Sequence, residues 1–143
     1  MRNLSYQINF NYLVRLNMKI RFGGIIIAAI AAEVLAIVVL IVIVAVFGPS
    51  NQAAAETFAQ KMGYWVGPVA GIILCTIGGW WVAKEMDSSR ILNGFLVGFV
   101  VAVIDVSLLL LGDIEYQTIF VISNAGKVAA GAFGGWLAGK KAT

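Results

Sequence analysis

The stretch from Phe22 to Phe47, FGGIIIAAIAAEVLAIVVLIVIVAVF, decides the fold class, because Glu33 is its only charged residue. A helix needs about 20 mainly apolar residues to cross the hydrocarbon core of a bilayer, and this stretch exceeds that length. Its apolar residues follow one another without the alternation that is typical of membrane barrel strands. The stretch therefore predicts a membrane-spanning α-helix.

The rest of the chain has the same character. Of its 143 residues, 61% are hydrophobic and 12% are charged, and the mean hydropathy is +0.93. That composition lies outside the range of soluble domains. Further apolar stretches at about 62–83, 91–111 and 116–139 predict three more spans. We expect an all-α membrane protein in which residues 21–143 form a four-transmembrane-helix bundle and residues 1–20 form an N-terminal arm or leader.

The basic residues predict the orientation of the spans, because lysine and arginine are enriched in cytoplasmic loops. With four spans, eight basic residues fall on one side and only Lys61 falls on the other. Both termini are therefore expected in the cytoplasm. The net charge of +3 then reflects topology, and we expect the bilayer rather than nucleic acid as the partner. In the loop after the first span, Ser50 or Asn51 is expected to cap a short helix over 53–61.

Small residues recur at a spacing of four in every predicted span, which places them on one helix face. Such faces allow close packing of helices in lipid, although glycine and alanine are also common in membrane helices generally. The glycines for which we predict helix packing are Gly67, Gly71, Gly79, Gly94, Gly98, Gly131, Gly134 and Gly135.

Two spans end alike, with GGWWVAK at 78–84 and GGWLAGK at 134–140. The similarity predicts a 2+2 duplication of helical hairpins, a pattern known from transporter folds. The alternative is that both segments are ordinary helix ends at the membrane interface, where tryptophan and lysine are common.

Three ionisable residues fall inside the predicted spans, where charges are rare and usually paired. Measured from basic residues at the span ends, Glu33, Asp105 and Lys127 lie at depths of roughly 18, 22 and 20 Å. We therefore predict a buried polar cluster that also includes Ser123 and Asn124, with Asp105 and Lys127 as the first ion pair. One lysine against two carboxylates leaves a deficit of one proton, which Glu33 is expected to hold.

The cluster supports two functional interpretations. It can fix helix register or dock a partner helix, as expected of a structural or accessory subunit that packs with itself or with a larger membrane complex. Alternatively, it can titrate within a proton- or ion-coupled small transporter or channel that works as an oligomer. Binding of a lipid or another small ligand is a third possibility.

Enzymatic activity is not expected. The sequence has no histidine and no phosphate-binding glycine loop, nucleophile elbow or paired cysteines. No catalytic residue, metal site or cofactor is therefore predicted. Cys75 is the sole cysteine, which rules out an intramolecular disulfide.

The order of these features resembles a class of uncharacterised small bacterial inner-membrane proteins with four spans. The similar features are the start MKIRFGG at 18–24, the acid Glu33 early in the first span, a glycine-rich third span, and a last span with Gly126-Lys127 followed by GGWLA at 134–138. The resemblance implies a bacterial inner membrane and four-helix topology, and it implies no activity.

Overall fold

The computed structural model describes residues 19–111 and 118–140. These ranges contain four α-helices: α1 (Phe22–Phe47), α2 (Gln52–Ala83), α3 (Arg90–Leu111) and α4 (Thr118–Lys140). The predicted all-α bundle of four helices is therefore confirmed. Most of the predicted arm at 1–20 and the connection between the last two helices lie outside the described residues.

Three of the helices, α1, α2 and α3, are long and apolar enough to cross a membrane. The chain is thus a small helical membrane protein. Helix α4 has 23 residues and is long enough, but it is less apolar than the other three. Small and polar side chains are frequent in α4, which packs against both α2 and α3. Its crossing of the membrane stays a prediction, as does the orientation of the termini.

The prediction of a separate short helix over 53–61 is wrong. One continuous helix of 32 residues runs from Gln52 to Ala83, and Asn51 caps it by accepting a hydrogen bond from the Ala54 N–H at 3.2 Å. At 1.5 Å per residue this helix is about 48 Å long, well beyond the hydrocarbon thickness of a bilayer. Its first turns therefore extend past the apolar part of the span.

Helices α2 and α3 contact each other and lie between α1 and α4, whose backbones do not approach one another within the described ranges. Helix α1 is most buried in its first half, although Leu40 in its second half still approaches α2 at Gly63. Its buried residues all lie between Gly24 and Ala32, and from Glu33 to Phe47 none of its residues is buried. We call the end of the bundle that carries Arg21 and Lys140 the basic end, and the other the opposite end.

Glycines let α4 touch the backbones of both neighbouring helices. A Cβ atom at Gly94 on α3 would overlap the carbonyl oxygen of Gly131 on α4, and one at Gly79 on α2 would overlap the same oxygen. Close contact of this kind replaces the hydrophobic driving force that is missing between helices in lipid. The other predicted packing glycines with such backbone contacts are Gly98, Gly134 and Gly135, whereas Gly71 faces the side chain of Lys127.

Gly67 is placed differently from the other seven predicted packing glycines. No described atom lies within 4 Å of a Cβ built at Gly67, so this residue does not mediate a helix contact there. Its spacing of four from Gly71 places Gly67 on the same face of α2. At the level of Gly67, however, no neighbouring helix among the described residues comes within contact distance of that face.

We predict that Gly131→Ala destabilises the protein by about 1–3 kcal/mol, because the added methyl group would push α4 away from α3. Gly67→Ala is the matched control and should be neutral or slightly stabilising, since alanine is the better helix former and the space is open. Unfolding in mixed detergent micelles measures both. Equal stability of the two variants would contradict the tight packing of α4.

Candidate functional site

The three ionisable residues of the spans meet at one point inside the bundle. Lys127 on α4 donates a hydrogen bond from Nζ to Oδ2 of Asp105 on α3, and the same Nζ lies 3.6 Å from Oε1 of Glu33 on α1. The three side chains are 6%, 20% and 13% exposed for Lys127, Asp105 and Glu33. We call these three residues the ion cluster, and it joins three helices.

Small residues make room for the ion cluster. The Lys127 side chain crosses α2 at Gly71, where a Cβ would overlap its Cε atom. On the side of α1, Ala29 and Ala32 pack into a core with Cys75 and allow α1 to come close enough for Glu33 to reach the lysine. The glycine and alanine positions therefore set both the backbone packing and the position of the charges.

The charge of the ion cluster is unbalanced when all three groups are ionised, because two carboxylates face one ammonium group. An unpaired charge away from water costs several kcal/mol even after relaxation. Binding one proton, or one monovalent cation, makes the ion cluster neutral. The arrangement can therefore hold a single positive charge reversibly if water reaches it.

A cavity of about 180 Å³ leads away from the ion cluster. Asp105 and Lys127 line one of its ends. The remaining lining residues are Gly63, Gly67 and Pro68 of α2, Leu108 and Leu109 of α3, and Phe120, Ser123 and Asn124 of α4.

The direction of the cavity follows from the helix order. Helix α3 starts at the basic end, and Leu108 and Leu109 come after Asp105 along it. Helix α4 finishes at the basic end, and Phe120 and Asn124 come before Lys127 along it. The cavity therefore runs from the ion cluster towards the opposite end of the bundle.

Polar groups in this cavity suit water. The Oδ1 atom of Asn124 is buried and has no hydrogen-bond partner among the described residues. Pro68 has no N–H, so the carbonyl of Tyr64 one turn earlier has no α-helical donor. A cavity of this size with Ser123, Asn124 and an ion pair on its wall offers a water the two to four polar partners that it needs.

Towards the basic end the bundle is closed by backbone contact. A Cβ at Gly98 would overlap the carbonyl of Lys127, and one at Gly134 would overlap the carbonyl of Thr76. Val97 and Val101 are fully buried beside these contacts. Access to the ion cluster is thus one-sided in this arrangement of the helices.

The sequence reasoning missed a second buried polar residue, Asn93, near the start of α3. Its side chain is 0% exposed; Nδ2 donates to the carbonyl oxygens of Lys19 and Ser89 at 2.9 Å, and Oδ1 accepts from the Arg21 N–H at 2.9 Å. Asn93 thereby holds the segment before α1 against α3. The signal that the sequence offers is a single amide side chain one helical turn into an otherwise apolar span.

The structure thus brings Glu33, Asp105 and Lys127 into contact, with Ser123 and Asn124 on the wall of the adjoining cavity. Comparison of the chain with protein families, with curated proteins and with solved structures finds no significant match. The resemblance to small bacterial inner-membrane proteins therefore has no matching family behind it. Function has to be argued from the site alone.

We predict that Asn93→Ala destabilises the protein by about 1–3 kcal/mol for each backbone group that it leaves buried and unpaired. Asn124→Ala is the matched control, because Oδ1 of Asn124 has no partner to lose among the described residues. Thermal unfolding in detergent compares the two. A larger loss for Asn124→Ala would contradict the role assigned to Asn93.

We predict that Lys127→Ala costs about 3–5 kcal/mol, because it leaves two buried carboxylates without their cation. The double variant Lys127→Met with Asp105→Leu should retain much more stability, because Glu33 can become neutral by protonation and the apolar side chains fill the space. Unfolding of both variants in detergent tests this. A single variant as stable as the double one would show that the ion pair contributes nothing.

Proposed function

We propose that the protein is a small proton- or ion-coupled membrane transport unit in which the ion cluster binds one proton or one monovalent cation. The observation that carries the proposal is that Asp105 and Lys127 of the ion cluster line a cavity whose wall also carries Ser123 and Asn124. Intramembrane ionisable residues that face a water-accessible cavity are the usual components of proton and ion pathways.

In the proposed step, the carboxyl groups beside Lys127 bind and release one proton or cation while the lysine stays in place. With its cation bound, the ion cluster is neutral; without it, the two carboxylates of Glu33 and Asp105 share the single charge of Lys127. Glu33 is the carboxyl farther from the ammonium nitrogen, so it is the group that takes up and releases the proton. Asp105 accepts a hydrogen bond from Lys127 and keeps the lysine in place.

Net transport also requires access from the basic end, where glycine contacts close the bundle. We propose that the second access arises when copies associate or when α4 shifts along its glycine face. Four helices are few for enclosing a complete path, and most large apolar side chains from Val34 to Phe47 are exposed, which leaves that face of α1 available for contact with another copy.

A second candidate function is that of an accessory subunit, and one observation favours it. From Val34 to Phe47 most of the large apolar side chains of α1 are exposed, so a helix of a larger complex could pack there. In that role the ion cluster would hold three helices in register and would not exchange its proton. Flux measurements separate the two candidates.

We predict that the protein, reconstituted in liposomes with a pH-sensitive dye inside, carries protons when a potassium diffusion potential is applied. Glu33→Gln should reduce this flux to the level of empty liposomes, because the amide cannot take up the proton. Glu56→Gln is the matched control: Glu56 lies in the second turn of α2 and accepts a hydrogen bond from Gln52, and its removal should leave the flux unchanged.

Two outcomes would contradict the proposal. Glu33→Gln liposomes as conductive as wild type would remove Glu33 from the pathway. Wild-type liposomes no more permeable than empty ones, tested with protons and with sodium and potassium, would favour the accessory role instead.

A further inference from the structure

A second cavity, of about 550 Å³, lies at the basic end of the bundle. It is formed by the turn at 87–89, the first residues of α3 and the last turn of α4. It shares no lining residue with the ion cluster or with the cavity that leads to it. Its chemistry is therefore independent of the proposed transport function.

Cations and hydroxyl groups form the polar wall of this cavity. Arg90 and Lys140 line it together with Ser88 and Ser89. The Arg90 Nε donates to the Met86 carbonyl at 2.5 Å, which fixes the plane of the guanidinium group.

The two cations are held at the end of α4. Nη1 of Arg90 lies 3.8 Å from a Cβ position built at Gly139, so the guanidinium rests over the last turn of that helix. The Lys140 ammonium lies 4.0 Å from the centroid of the Trp136 ring, which keeps it at the edge of the same cavity. Two positive groups are thus positioned by contacts within the protein.

The remaining wall is apolar and continues onto the outer surface. Ile91 and Trp136 both line the cavity and are 54% and 40% exposed. Tryptophan is typical of the level where lipid headgroups meet the hydrocarbon. A ligand with a polar head in the cavity could therefore lay a hydrocarbon chain along Ile91 and Trp136.

We propose that this cavity binds the phosphate group of an anionic phospholipid. Arginine, lysine and hydroxyl groups are the side chains that bind phosphate oxygens, and basic pockets between membrane helices are typical headgroup sites. Asp87 also lines the cavity, so its lining residues include two cations and one acid. An excess of cations suits a headgroup such as phosphatidylglycerol, which carries one phosphate charge and no ammonium group.

Native mass spectrometry of the full chain in detergent, with phosphatidylglycerol or phosphatidylcholine added, tests the proposal. We expect phosphatidylglycerol to be retained in preference to phosphatidylcholine. Equal retention of both lipids would overturn the proposal. Displacement of the bound lipid by millimolar inorganic phosphate would assign the site to a free phosphate and would overturn the lipid assignment.

Three variants make the test specific to the cavity. Lys140→Gln should weaken phosphatidylglycerol binding roughly fivefold, as expected for loss of one cation near an anionic lipid. Asp87→Asn should strengthen it, because an acid that repels the phosphate is removed. Lys84→Gln is the matched control: Lys84 also stacks on a tryptophan at the basic end, 5.4 Å from the Trp80 ring centroid, but does not line this cavity.

Two results with these variants would overturn the proposal. A loss for Lys84→Gln as large as that for Lys140→Gln would mean that only the general positive charge of this end attracts the lipid. Weaker binding by Asp87→Asn would mean that the carboxylate holds a positive headgroup, and phosphatidylethanolamine would then replace phosphatidylglycerol as the ligand.

Discussion

Close backbone contact of α4 with α2 and α3 is the interaction on which the rest of the structure depends. Helices in lipid gain nothing from burying apolar side chains against each other, so their association relies on dispersion contacts and on polar bonds between them. Gly79, Gly94 and Gly131 supply the contacts by removing every atom that would hold the backbones apart. Lys127 supplies the polar bond one turn away, on the same helix. The close approach of these helices therefore determines both the backbone contacts and the position of the charged groups.

The same contacts explain why the ion cluster is reached from only one side. Where glycines face each other, no space remains for water, and the bundle is closed towards the basic end. Beyond Gly71 the contact surface separates, Gly67 faces open space, and the cavity there is lined in part by Asn124, whose Oδ1 has no partner among the described residues. One end of this small bundle is thus closed by backbone contact, and the other contains a cavity that adjoins Asp105 and Lys127.

Much of this could be predicted from the sequence, because a span and the depth of a charge within it depend on residues close in the chain. The helices and the meeting of Glu33, Asp105 and Lys127 follow from counting residues along apolar runs. The start of α2 could not be found that way: composition changes from polar to apolar near residue 62, but the alanine-rich segment before it continues as the same helix. The composition near residue 62 reports a change in the surroundings of the chain, whereas the helical backbone continues through it.

Features that depend on distant segments were also beyond the sequence. The partners of Asn93 come from residues 19 and 21, more than seventy positions earlier. A spacing of four identifies a helix face at Gly67 but not which surface lies opposite it, and here a cavity lies there.

The uneven burial of α1, which is greatest in its first half, has a mechanical consequence. Its 26 residues are about 39 Å long, more than the thickness of the hydrocarbon core, and a helix that is too long for its bilayer tilts. The less buried second half offers less resistance to tilting, and Glu33 follows directly after Ala32, the last buried residue of α1. A membrane of different thickness would therefore act on the distance between Glu33 and Lys127, and so on the ion pair that joins α1 to α4.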